Sequence, residues 1–278
     1  MINFNGQLVA KPTATIENNR GFLYGDAVFE TLKVLDDKVL FSEDHYFRLM
    51  ASMRILRMEI PVSFSLEYME EEILKTTKAV GLSNARVRFT VFRSGKGKYL
   101  PETRTIEYLV SAENTTPVYL APTKSYEVEL FKDFYVSKHL LSTLKTTNRL
   151  INITASIFAE ENGYDNCFLI NDDKNIVEAI NGNIFVVKDN IVVTPPVSDG
   201  CINGIMRKKI IGLIQKDDDL QWEERSVSPF ELQKADEIFI TNVIQGIQPV
   251  TKYRKKQFER TVADRLLIKL NAHIRFNS

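Results

Sequence analysis

Apolar residues recur along this chain with two periods, and the switches between them outline its elements. In FETLKVLDDKVLF they alternate on either side of a polar Asp36-Asp37-Lys38 step, which predicts a hairpin. The next run, SEDHYFRLMASMRILRMEIP, changes to helical spacing. Ser42 is placed as its N-cap, Glu43 and Asp44 fall in the first turn, and Pro61 lies just past the end. Phe47, Met50 and Leu56, with Tyr46, Leu49 and Met53, form its broad apolar stripe. A second helix, LEYMEEEILKTTKAVGL, closes at Gly81. ARVRFTVFRSG and RTIEYLVSA then read as paired strands joined by the glycine-bearing loop SGKGKYLPET.

The polar stretch ENTTPVYLAP carries two prolines and no clear period, and it is the best linker. It divides the chain into an N-terminal α/β domain over 1–112, a linker over 113–122 and a C-terminal α/β domain over 123–278. The second part contains a helix from Thr147 to Glu161, ended by ENG. Short strands follow in NCFLIND, NIVEAI, NIFVVKD and IVVTP, then a helix from NGIMRKKIIGLI, the strand EIFITNV and an amphipathic helix in FERTVADRLLIKL. Strands with segregated helices in two segments predict an α/β (α+β) protein of two domains. No internal repeat or low-complexity tract interrupts them.

Composition removes several function classes. The 278 residues are 44% hydrophobic and 26% charged, as in an ordinary soluble globular protein. Lys+Arg and Asp+Glu balance at 36 each, so no overall field favours nucleic acid or an anionic membrane, and an anion must be held by a local cluster. Cys167 and Cys201 lack metal-ligand spacing, and His45, His139 and His273 are scattered, which argues against a disulfide framework or a metal site. The start, MINFNGQLVA, lacks a basic region followed by an apolar one, and no apolar run approaches the roughly 18 residues of a membrane span. A soluble cytoplasmic protein is expected.

Four stretches carry candidate chemistry. In LSTLKTTNRL, Lys145 lies between a strand end and a helix, either as a solvated turn residue or as an amine held out to react. In NGIMRKK, Gly204 precedes a helix start whose N–H groups at Ile205 and Met206 suit an anion, or simply flank an ordinary helix. Arg48 lies near the apolar side of its helix, where it could reach a phosphate bidentately, snorkel, or pair with an acid. Glu178, between two short β runs, could meet a heterocyclic nitrogen cation or face solvent on an edge strand. Thr241 and Asn242, at the end of EIFITN, could donate to a ligand or cap a strand exit. A lysine amine, an arginine, an anion seat and a carboxylate make sense together for pyridoxal 5′-phosphate, which needs a Schiff-base lysine, phosphate donors and an acid at its ring nitrogen.

The ordered set NNRGFLYGDAVFETLKV, HYFRL, LKTTNRL, VEAINGNIFVV, INGIMR and TNVIQGIQPV resembles the fold-type IV pyridoxal-phosphate enzymes, or class IV aminotransferases. That family includes branched-chain and D-amino-acid aminotransferases and 4-amino-4-deoxychorismate lyase. The resemblance spans nearly the whole chain. It implies the two-domain D-amino-acid-aminotransferase-like fold with the cofactor in the interdomain cleft, usually in a homodimer, and a small-molecule amino substrate. It matches Lys145 to the Schiff-base lysine, Glu178 to the ring-nitrogen partner and Arg48 to the phosphate arginine. Gly204, Ile205 and Met206 match the phosphate-binding helix start, while Asn183, Thr241 and Asn242 fall among the cofactor-binding positions. Val243 stands in the loop where branched-chain enzymes carry a GTA-like run, and it has no hydroxyl to contribute.

The reaction divides the family. Branched-chain enzymes follow the asparagine after the lysine with a tyrosine, whereas Asn148 is followed by Arg149, and their EGSG-like run is EAING here. LKTTNRL, INGIMR and TNVIQGIQPV look more like the aminodeoxychorismate lyases, while the Phe29-Glu30 pair is common in transaminases. The lyase, releasing 4-aminobenzoate and pyruvate, is therefore the first expectation. Amino-acid transamination is the second, and a non-catalytic relative a remote third. Phe29, Arg93, Lys96, Lys98 and Arg149 are the candidate substrate contacts, although RSGKGKY would serve equally as a solvated hairpin tip.

Overall fold

The alternation in residues 85–93 becomes the centre of a six-stranded antiparallel sheet. A computed structural model describes residues 1–10 and 16–277 and separates them into one unit of residues 1–118 with 145–148 and another of 119–144 with 149–277.

The first unit contains β1 (Ile2–Phe4), β2 (Gln7–Val9), α1 (Arg20–Tyr24), β3 (Ala27–Leu35), β4 (Lys38–Val39), α2 (Ser42–Ile55), α3 (Leu66–Ala79), β5 (Ala85–Arg93) and β6 (Ile106–Asn114). Its strands lie in the order β2-β1-β6-β5-β3-β4. Asp36 and Asp37 both take positive φ, 46° and 60°, so the two-residue turn of the β3–β4 hairpin matches the strand twist. Val28, Leu32, Val87, Phe89, Val91 and Val110 line the face that packs on Leu49, Met53, Met69 and Ile73 of α2 and α3. Ser65 caps α3 through its hydroxyl, and Gly81 follows the helix at φ 71°.

Helix α2 departs from its expected cap and stripe. Phe41, at φ 54°, is the N-cap and Ser42 is the first helical residue, with no side-chain capping bond. The buried face is His45, Leu49, Met50, Ser52 and Met53, while Phe47 is 59% exposed. Burial of His45 and Ser52 rotates the inward face away from Phe47, and an inward polar group needs a partner, which β3 supplies to His45.

The second unit contains β7 (Glu127–Leu130), α4 (Leu150–Glu161), β8 (Asn166–Ile170), β9 (Ile176–Ala179), β10 (Asn183–Lys188), β11 (Ile191–Thr194), α5 (Ile205–Ile214), β12 (Gln221–Glu224), α6 (Pro229–Leu232), β13 (Glu237–Asn242), β14 (Gly246–Val250), β15 (Lys252–Tyr253), β16 (Lys256–Gln257) and α7 (Thr261–Asn277). Two five-stranded sheets form, β12-β11-β10-β13-β14 and β16-β15-β7-β8-β9. Val128, Phe168, Ile176, Ile184, Ile238 and Val250 share one core, and α4 packs Ala155 and Ala159 near Phe131, Leu169 and Val177.

Strand β6 runs to Asn114, into the stretch expected to be linker, and the division between units falls after Val118. Helix α4 starts at Leu150 rather than Thr147. The reason is pairing. Thr146 bridges Val28, and the N–H of Thr147 donates to Ala27 O at 3.1 Å, so residues 145–148 are extended and belong to the first unit. Among the described residues, no helix is long and apolar enough to cross a membrane.

Candidate active site

In the first unit, β3 positions most of the chemistry. Its period-2 alternation sends Val28, Glu30, Leu32 and Val34 toward the helices and Phe29 to the other face. The Lys145 carbonyl accepts from the Phe29 N–H at 2.8 Å, which ties the lysine backbone to that strand. Lys145 Nζ then lies 4.6 Å from the Phe29 ring centroid, and the Arg88 guanidinium carbon lies 3.7 Å from the same centroid. Two cations thus share one aromatic ring, whose π cloud favours positive charge. Arg88 is half-buried, Nε donates to Thr90 Oγ1 at 3.2 Å, and burial together with the neighbouring Arg86 pushes its pKa down.

Behind this face is a buried charge cluster. Glu30 is 1% exposed. Arg48 donates to it bidentately, Nε to Oε1 at 2.8 Å and Nη2 to Oε2 at 2.5 Å, and His45 Nδ1 lies 2.7 Å from Oε2. Burial alone would raise the Glu30 pKa, but the charge and hydrogen bonds of Arg48, with those of His45, bring it to about 2. Burial lowers His45; the Glu30 hydrogen bond and charge oppose this, and the charges of Arg48 and Lys145 add to the lowering.

The second unit brings Glu178, Asn183, Gly204 and Thr241 together around one peptide segment. Glu178, on β9, is buried rather than solvated, and its Oε2 accepts the Ile202 N–H at 3.0 Å. Asn183, on β10, donates Nδ2 to the Ile202 carbonyl at 2.8 Å. These bonds fix the approach to α5 at its N-cap, Gly204, where a Cβ would fall 1.9 Å from Asn183 Oδ1. Gly204 provides no side-chain cap, so the helix begins at Ile205 and Met206 with its dipole end open to an external acceptor. Arg207 pins that first turn through Pro195 O at 3.0 Å and Glu224 at 2.6 Å. Thr241 pairs with Asn183 across the sheet, and its buried Oγ1 has no hydrogen-bond partner among the described residues. An orphaned hydroxyl beside an uncapped helix start, with a buried carboxylate on the same segment, suits a phosphorylated heterocycle.

The remaining candidates separate. Asn242 caps the β13–β14 turn, its Oδ1 accepting from Ile244 N at 3.0 Å and Gln245 N at 2.8 Å. Val243 is buried, and its carbonyl accepts the Tyr119 hydroxyl. Arg149 is half-buried and donates to the Leu144 carbonyl. Lys96 and Lys98 are exposed. Arg93 has a structural employment instead of the expected substrate contact. It grips Asp26 with Nε and Nη2 and donates to the carbonyls of Leu56 and Arg57. Arg20 completes this staple through Asp26, Gly97 O and Lys98 O.

Sequence reading missed Glu30, His45 and Arg88. A signal existed for Glu30, the one charged side chain on an otherwise apolar strand face. None marked Arg88, whose alternating position reads as solvent-facing.

Residues 27–253 match the family model for amino-transferase class IV. The chain belongs to that family. Class IV aminotransferases and their lyase relatives are pyridoxal-phosphate enzymes, and this protein is accordingly one of them. It is 30% identical over 252 residues to a provisionally named branched-chain-amino-acid aminotransferase of Methanocaldococcus jannaschii, covering 90% of this chain and 86% of that protein. It is 27% identical to D-alanine aminotransferase of Bacillus licheniformis, covering 89% and 86%. A provisionally named 4-amino-4-deoxychorismate lyase from Legionella pneumophila superposes with a TM-score of 0.85 at 25% identity, over 95% of this chain and 96% of that one. The mixed α/β architecture is therefore that of the class IV aminotransferases.

Proposed function

We propose that this class IV aminotransferase acts on an anionic amino substrate through Lys145, and that its reaction is 4-amino-4-deoxychorismate lysis to 4-aminobenzoate and pyruvate. The observation that carries the reading is that one ring, Phe29, meets both the Lys145 side-chain nitrogen, 4.6 Å from its centroid, and the Arg88 guanidinium, 3.7 Å from it. Lys145 would hold the aldehyde carbon of pyridoxal phosphate, Glu178 its ring nitrogen, and Arg48 its phosphate. The N–H groups of Ile205 and Met206 and the Thr241 hydroxyl would complete the phosphate seat, with Asn183 and Gly204 shaping the segment that carries them and Asn242 holding the adjoining turn. When bound, the cofactor supplies an electron sink for the pair released as a proton leaves the substrate.

In the lyase reaction the free Lys145 amine would take the ring proton of the substrate. Pyruvate leaves as the ring aromatises. Arg88 and Arg149 are the cations we assign to the two substrate carboxylates; Lys96 and Lys98 would act only at long range. Arg149 stands where a branched-chain enzyme would have tyrosine, which supports the lyase. Amino-acid transamination is the second reading, favoured by the names of the sequence relatives. There the same amine would remove the proton from the amino acid's Cα.

The reading includes a cytoplasmic homodimer. The exposed Leu150, Ile153 and Ile157 of α4 give a second copy an apolar face, and both cysteines are free thiols. Borohydride treatment of the pyridoxal-phosphate-loaded protein should leave a phosphopyridoxyl group on the peptide carrying Lys145. A label on another lysine, or no label, would overturn the assignment.

A further inference from the structure

Strand β3 turns Glu30 into the apolar face that also carries Val28, Leu32 and Val34. The carboxylate is 1% exposed, and His45 behind it is fully buried. With its pKa lowered by burial, His45 is neutral near pH 7, and a neutral imidazole beside a carboxylate keeps its proton on Nδ1 and donates it. His45 Nε2 has no partner among the described residues, so the ring is held through Nδ1, by its hydrogen bond to Glu30.

A buried charge cluster is a poor device for stability alone, because an apolar group of similar volume commonly serves as well. What an apolar group cannot supply is geometry. The guanidinium is planar, and the Nε/Nη2 clamp on both Glu30 oxygens fixes its plane and the heading of its remaining edge. His45 Nδ1 holds Oε2 as well, the same oxygen that takes Nη2.

We infer that Glu30, backed by His45, is a positioning residue that aims the Arg48 guanidinium at the cofactor's phosphate. This rests on the reading above that Arg48 meets that phosphate. A positioning role acts only through the phosphate, so it appears as a change in discrimination between pyridoxal 5′-phosphate and pyridoxal, which lacks the phosphate. General loosening of the fold weakens both ligands together.

The test titrates the full-length apoprotein with each ligand and follows the visible absorption. Arg48→Ala measures the whole contribution of Arg48 to the preference for the phosphorylated form. Glu30→Gln should lower that preference about tenfold, the worth of one well-aimed charge-assisted bond. Pyridoxal affinity should hold, and the double variant should fall no further than Arg48→Ala alone. If Glu30→Gln is not recovered folded, His45→Gln, which keeps the carboxylate but changes its backing, makes the same comparison at smaller amplitude. Unchanged discrimination in the Glu30 or His45 variant, alongside a loss in Arg48→Ala, overturns the inference. Unchanged discrimination in Arg48→Ala itself overturns the underlying assignment of the phosphate.

Discussion

Replacing Glu30 by glutamine should flatten the acid end of the stability profile. The native carboxyl titrates at about 2 against an ordinary 4.5, because the Arg48 and His45 interactions overcome the cost of its burial. At 1.36 kcal/mol per pH unit, that gap is worth about 3 kcal/mol of folding free energy at neutral pH. The folded value lies below the unfolded one, so this contribution is complete above the unfolded value and drains away as pH falls from 5 toward 2. His45 adds a slope of the same sign. Its folded value is lowered from 6.5, so its contribution is present above 6.5 and declines as the pH falls below it. Urea unfolding followed by far-UV circular dichroism at pH 7, 5, 4 and 3 measures the effect. Wild type should exceed Glu30→Gln at pH 7 by about 3 kcal/mol, within the range for breaking a buried pair, and most of that gap should close by pH 3. Parallel curves for the two proteins across this range would refute the reasoning.

Other substitutions test separate parts of the structure. Lys145→Ala should abolish the protein-dependent visible absorption of added pyridoxal phosphate and all turnover; a retained band would contradict its role. Arg88→Gln should lower kcat/KM for an anionic amino substrate about 10- to 100-fold, chiefly through KM, with cofactor affinity kept. An unchanged KM would remove Arg88 from substrate binding. Gly182→Ala would put a Cβ 2.5 Å from the Thr241 carbonyl oxygen, and backbone has little room to yield. It should cost about 1–3 kcal/mol, read as a lower thermal midpoint, and an unaltered midpoint would refute the predicted clash.

Local chemistry explains which features could be read from the chain. The Asp36-Asp37 hairpin and the Gly81 helix exit follow from turn and cap preferences confined to a few neighbouring residues. The ends of α2 and α4 do not. Phe41 caps α2 from a left-handed conformation that its own side chain does not favour, and Thr147 leaves its helix because Ala27, 120 positions earlier in sequence, offers a carbonyl. The candidate site divides in the same way. Lys145, Arg48 and Glu178 stood out through motif order, and each appeared with alternatives that burial and partners alone address. Glu178 proved buried on a backbone N–H, while Arg93 was drawn into the Asp26 staple. Arg88 became visible only when register placed its strand beside Phe29, since nothing in RVR distinguishes a solvated arginine from one packed on an aromatic ring.

The most direct measurement is product analysis of the purified protein with pyridoxal phosphate and 4-amino-4-deoxychorismate, beside a transfer assay from L- and D-amino acids to 2-oxoglutarate. The account predicts 4-aminobenzoate and pyruvate in equal amounts, lost in Lys145→Ala, without comparable amino transfer. Leucine- or D-alanine-dependent transfer with no pyruvate released from aminodeoxychorismate would contradict it.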